Sequence, residues 1–132
     1  MTDPVPTLTG EPVTIQYVAD PRAGHGQFVL ANPGSTPISA EVDALWFQAG
    51  EGRRPLPVAS IFAPEDNRSL DPHTLRVEPG ATLRFWVGFP AIAYEPPFGE
   101  AAAVGLRLRL GDTLLEARSP LQFLRRWPRG TV

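Results

Sequence analysis

The most restrictive feature of this chain lies near its C-terminal end, where two alternating runs, residues 104–110 and 113–123, flank the dipeptide Gly111-Asp112. Glycine at the first central position of a two-residue loop suits a type II′ turn, whose twist matches that of the strands it joins. The register this implies sets Leu110 against Thr113, Leu108 against Leu115 and Leu106 against Ala117 on one face, with Arg107 meeting Glu116 on the other. Apolar side chains face apolar ones and unlike charges pair, whereas a slip of one residue would turn the whole set over. The chain is therefore expected to be built from antiparallel strands with one buried face.

The rest of the sequence extends that reading. Val13, Ile15 and Tyr17 alternate with polar residues, and Phe28 and Leu30 point inward from residues 27–31. Residues 38–47 read as a third strand, with Ala40, Val42, Ala44 and Trp46 expected inside and Leu45 and Phe47 outside. Residues 81–89 are the most regular run, with Leu83, Phe85, Val87 and Phe89 inward and Thr82, Arg84, Trp86 and Gly88 outward. Residues 58–62 suggest an edge strand, and residues 74–77 a strand that ends in Glu78-Pro79-Gly80, whose glycine can take positive φ. Pro120 should push the second half of the last strand to a sheet edge or across to another sheet. No helical period persists beyond a turn, and 16 prolines and 12 glycines in 132 residues suit many short strands. The expected fold is all-β, an antiparallel immunoglobulin-like β-sandwich of seven or eight strands. Residues 1–12 read as an extended leader, 13–124 as the sandwich and 125–132 as a basic C-terminal tail.

Two turn motifs carry a family resemblance. Residues 28–37, FVLANPGSTP, and residues 77–85, VEPGATLRF, followed by Phe89-Pro90, resemble the immunoglobulin-like modules of the major-sperm-protein and ASPM/SPD-2/hydin type. Those modules use an apolar strand ending in an Asn-containing turn, then a Pro-Gly turn before a strand ending in Phe-Pro. The resemblance implies an interaction or scaffold module.

Chemistry is sparse. The chain has no cysteine, hence neither disulfide nor thiolate chemistry, and nothing in it calls for an oxidising compartment. A cytoplasmic protein is expected, with no membrane span, and arginine without lysine suggests a GC-rich bacterial gene. His25, in Gly-His-Gly, and His73, in Asp-Pro-His-Thr, read as turn residues without metal-ligand spacing. There is no nucleophile elbow, phosphate loop or dinucleotide fingerprint. No catalytic residue, cofactor or metal is expected.

Candidate contact residues are more informative. Leu45, Phe47, Arg84 and Trp86 share outward parity and would form one apolar patch if their strands share a sheet; otherwise residues 48–72 fold over that face. Tyr94 and Phe98 flank Pro96-Pro97 in a loop that could present them to a partner or pack them on the sandwich end. Arg125, Arg126 and Trp127 lie in a basic tail on an otherwise acidic chain of net charge −2 at pH 7. Four arginines over residues 117–132 are too few for a nucleic-acid face. The expected partner is a protein, including a second copy of the chain. The alternative is a sandwich that binds carbohydrate or another small ligand on exposed aromatics.

Overall fold

The computed structural model describes residues 4–16, 23–49, 52–57, 60–90 and 102–124. Among them run eleven strands: β1 (Thr7–Glu11), β2 (Val13–Gln16), β3 (Ala23–Ala31), β4 (Ile38–Ala49), β5 (Gly52–Pro55), β6 (Ser60–Ala63), β7 (Arg68–Ser69), β8 (Leu75–Val77), β9 (Thr82–Pro90), β10 (Ala102–Leu110) and β11 (Thr113–Leu124). They form a five-stranded sheet, in the order β1-β3-β9-β6-β7, and a six-stranded sheet, β2-β11-β10-β4-β5 with β8 beside the start of β4. The count exceeds seven or eight because β1 forms within residues 1–12, read as a leader, and the short pieces β5 and the two-residue β7 form within residues 48–72. That stretch also feeds the core, where Ile61 and Ala63 are buried.

The hairpin has the expected register, with Leu108 opposite Leu115 and Arg107 opposite Glu116. Gly111 has φ +58° and Asp112 does not take positive φ, as a type II′ turn requires. Gly80 likewise takes φ +72° in the Pro-Gly turn. Between the sheets lie Phe28, Leu30, Phe85, Val87, Val104, Leu106 and Leu108, all sealed from solvent.

The N-terminal segment is part of the sandwich. β1 pairs antiparallel with β3 in the five-stranded sheet, while β2 pairs parallel with β11 in the six-stranded one. Val13 lies beside Leu121, so the same register carried back one residue sets Pro12 beside Pro120. Neither proline has an N–H to donate. The ladder stops there, and the chain ahead of Pro12 departs to the other sheet. Pro120 thus marks a change of partner: β11 pairs with β10 up to Leu121 and with β2 from Leu121 to Leu124.

The third strand departs from simple alternation. Leu45 and Phe47, expected outside, are buried in the core, and Trp46, expected among the core residues, lies on the outer face. The cause is a β-bulge: Arg107 is opposite Ala44 and the next residue, Leu108, is opposite Val42, so Asp43 is an extra residue in β4. One inserted residue reverses the parity of everything beyond it. Ala40 and Val42 therefore face inward before the bulge, and Leu45 and Phe47 after it.

Two polar side chains are buried with their partners. Asn32, 2% exposed, donates from Nδ2 to the carbonyls of Thr36 (2.8 Å) and Val77 (3.1 Å) and accepts from the Gly34 N–H at Oδ1. Its backbone N–H reaches the Ala81 carbonyl, and its carbonyl accepts from Gly80. The two turn motifs of the family resemblance are thus tied by one asparagine. Ser119, fully buried, accepts at Oγ from the Gln27 N–H (3.1 Å) and donates to the Glu11 carbonyl (2.5 Å), joining β11 to both β3 and β1 across the sheets.

Candidate interaction site

The outer face of the five-stranded sheet is organised by β9, its central strand. Phe85 and Val87 point inward, which sends Trp86 outward, directly opposite Gln27 of β3 and Phe62 of β6. Two residues further along, and so on the same face, His25 lies opposite Gly88. Because Gly88 has no side chain, the imidazole can lean diagonally onto the indole. The rings stack at 4.5 Å between centroids and 16° between planes. Phe62 meets Trp86 from the other strand in a T-shaped contact at 5.3 Å and 68°. All three rings are half-buried.

Burial lowers the pKa of His25 from the ordinary imidazole value. Gln27 Nε2 is 3.4 Å from His25 Nε2. An amide NH2 can only donate, so this contact calls for an unprotonated Nε2, as in the neutral ring. Arg84, also on this face, lies with Nε 3.2 Å from Glu11 Oε1, an ion pair without hydrogen-bond alignment.

On the outer face of the six-stranded sheet, Trp46 is covered by neighbouring side chains, while Leu114 is exposed. Trp46, 5% exposed, lies flat across Gly105, where any Cβ would collide with the indole. The Arg53 guanidinium sits 4.7 Å from the indole centroid and that of Arg107 5.8 Å, and Nε1 donates to Gln48 Oε1. Arg107 is held by Glu116, at 2.8 Å, and Asp43, at 3.6 Å, while Arg109 takes Asp43 at 2.7 Å. Glu116 first, then Asp43, push the Arg107 pKa further up, so the cation persists.

The expected sites can now be placed. Leu45, Phe47 and Trp86 do not form one patch: β4 and β9 belong to different sheets, and the first two residues are core. Arg84 pairs with Glu11, and the ring stacked on Trp86 is His25. His25 is a strand residue, not a turn residue. Its role was readable from parity, since His25, Gln27 and Val29 alternate with Phe28 and Leu30. His73 does lie in a turn, its N–H donating to Asp71 Oδ1 at 2.9 Å. Tyr94, Phe98, Arg125, Arg126 and Trp127 lie outside the described residues.

Other features give no reactive constellation among the described residues. No group of three or more His, Asp or Glu side chains is placed to hold a metal ion. A groove of about 230 Å³ at one end of the sandwich is lined by Val5, Pro6, Ile38, Leu110, Thr113 and Leu115, with the Thr113 hydroxyl its only side-chain polar group. Among the described residues, no helix is long and apolar enough to cross a membrane.

Two facing sheets, with the chain passing from one to the other at Pro12, form an immunoglobulin-like β-sandwich, and the two turn motifs resemble those of major-sperm-protein and ASPM/SPD-2/hydin modules. Among solved structures, it is similar to the sporulation control protein Spo0M from Bacillus subtilis, at 11% identity and a TM-score of 0.54. That match covers 96% of this chain and 51% of Spo0M, so the chain spans about half of that protein's length. It is also similar to the ASH/PapD-like domain 7 of human CEP192, at 12% identity and a TM-score of 0.41, covering 98% of this chain and 92% of that one. A FixG-related protein from Vibrio parahaemolyticus matches at 11% identity and a TM-score of 0.47, over 90% and 94% of the two chains. No family model and no curated protein sequence matches the chain.

Proposed function

We propose that the chain is a non-catalytic interaction module that self-associates through the outer face of its five-stranded sheet. The observation that carries this reading is the half-buried Trp86, set between His25 and Phe62 at the centre of that face. Large apolar side chains left partly in water forgo part of the ~1.5–3 kcal/mol that full burial would contribute. A second copy fits because Glu11 and Arg84 place both signs of charge on the same face. Two copies related by a twofold axis can then set unlike charges across the contact while the aromatics meet at its centre. The other tryptophan described, Trp46, is covered by its own chain and is not available to a partner. Carbohydrate binding is less well supported, since a sugar needs a free ring face, and Trp86 already carries an imidazole stacked on it.

Sedimentation across a concentration series tests the proposal. The wild type should shift from monomer to dimer as concentration rises, and Trp86→Asp should remain a monomer with an unchanged far-ultraviolet circular dichroism spectrum. A wild type that stays monomeric at high concentration refutes self-association. A Trp86→Asp chain that unfolds shows instead that the face serves the stability of the single copy.

A further inference from the structure

We propose that His25 makes this contact face proton-sensitive: two copies hold together while the imidazole is neutral and part when it is protonated. The inference rests on the self-association reading above and adds its regulation. Its basis is geometric. The imidazole lies flat against Trp86 at 4.5 Å, so any partner that covers the indole also covers the histidine and removes it further from water. Its Nε2 faces the Gln27 amide nitrogen at 3.4 Å, and protonation would set donor against donor, forcing that side chain to turn within the contact. Half-burial already disfavours the cation in the single copy, and association deepens the same penalty.

Among the described residues of β1, β3, β6 and β9, no other group on this face is an unpaired charge. β9 contributes Arg84 and β1 contributes Glu11, and these two are paired with each other. β6 contributes Ser60 and Phe62, and β3 contributes Gln27 and Val29, none of which ionises. Burial is what lowers the imidazole pKa from its ordinary value. Linkage gives the direction: if the dimer disfavours the protonated ring more than the monomer does, acid drives dissociation.

The test is sedimentation of the full chain at about pH 7.5 and about pH 5, on either side of the range in which imidazoles titrate. Far-ultraviolet circular dichroism at both values confirms that the chain stays folded. The wild type should dimerise at the higher pH and bind itself at least about tenfold more weakly at the lower, the equivalent of one pKa unit. His25→Phe, which keeps a neutral ring on Trp86, should dimerise equally at both, and His25→Gln does the same if the ring itself is dispensable. His73→Gln should keep the wild-type response. Equal wild-type dimerisation at both values overturns the proton dependence and leaves self-association standing. A His25→Phe chain that still dissociates in acid also overturns it, since another group must then titrate. A wild type monomeric at both values removes self-association and the proton dependence together.

Discussion

Replacing Gly105 with alanine tests how the six-stranded sheet is closed. The indole of Trp46 lies where the new Cβ would be, against its Cε2, Nε1 and Cζ2 atoms, and the side chain is only 5% exposed. A tryptophan buries about 150–250 Å², so complete ejection would forfeit at most about 4–6 kcal/mol at ~25 cal/mol per Å². The ring can slide toward the Arg53 side rather than leave, and alanine in a strand regains roughly 0.5–1 kcal/mol over glycine. A net loss of about 2–4 kcal/mol is expected from these opposing contributions. Urea melts followed by circular dichroism measure it, and tryptophan emission should shift to the red as the indole is exposed. The decisive comparison repeats the substitution in a Trp46→Ala background, where the collision is gone and alanine should be neutral or stabilising. A loss of the same size in both backgrounds would refute the account, because the cost would then come from the β10 backbone and not from the ring.

Three further outcomes follow from the same structure. Ser119→Ala leaves the Gln27 N–H and Glu11 carbonyl without this buried partner and should lower stability by about 1–3 kcal/mol in denaturant melts, with Ser119→Thr recovering part if its methyl fits. Asn32→Ala breaks both Nδ2 bonds and the Gly34 contact and should cost at least as much, with amide exchange rising around residues 34–36 and 77–81. The folded pKa of His25 is lowered from its ordinary 6.5, so the stability linked to its neutral form is present above that value and lost as pH falls through the folded value; His25→Gln should flatten the acid side of a stability–pH profile measured at monomeric concentrations. An unchanged acid slope in that variant would assign the loss to other groups.

Local pattern carried much of the architecture. Alternation around Gly111-Asp112 specified the register of β10 with β11, and the parity of Phe28, Leu30, Phe85 and Val87 specified two strands of the other sheet, because a period of two allows each strand only two orientations. Turn glycines at 80 and 111 announced their own conformations. What the pattern could not show was any event that depends on a neighbouring strand. The bulge at Asp43 exists only relative to β10, yet it exchanges the places of Leu45, Phe47 and Trp46. The assignment of β4 and β9 to different sheets, which disperses the expected patch, is likewise a matter of topology. Gly88 opens a space that His25 fills from another strand, and Phe62 reaches Trp86 from a segment with little regular pattern. Alternation and turn positions are local properties, legible in the chain because they depend on residues adjacent along it. Which faces are buried beyond a bulge and which rings meet emerge on folding, because they rest on contacts between strands far apart in sequence.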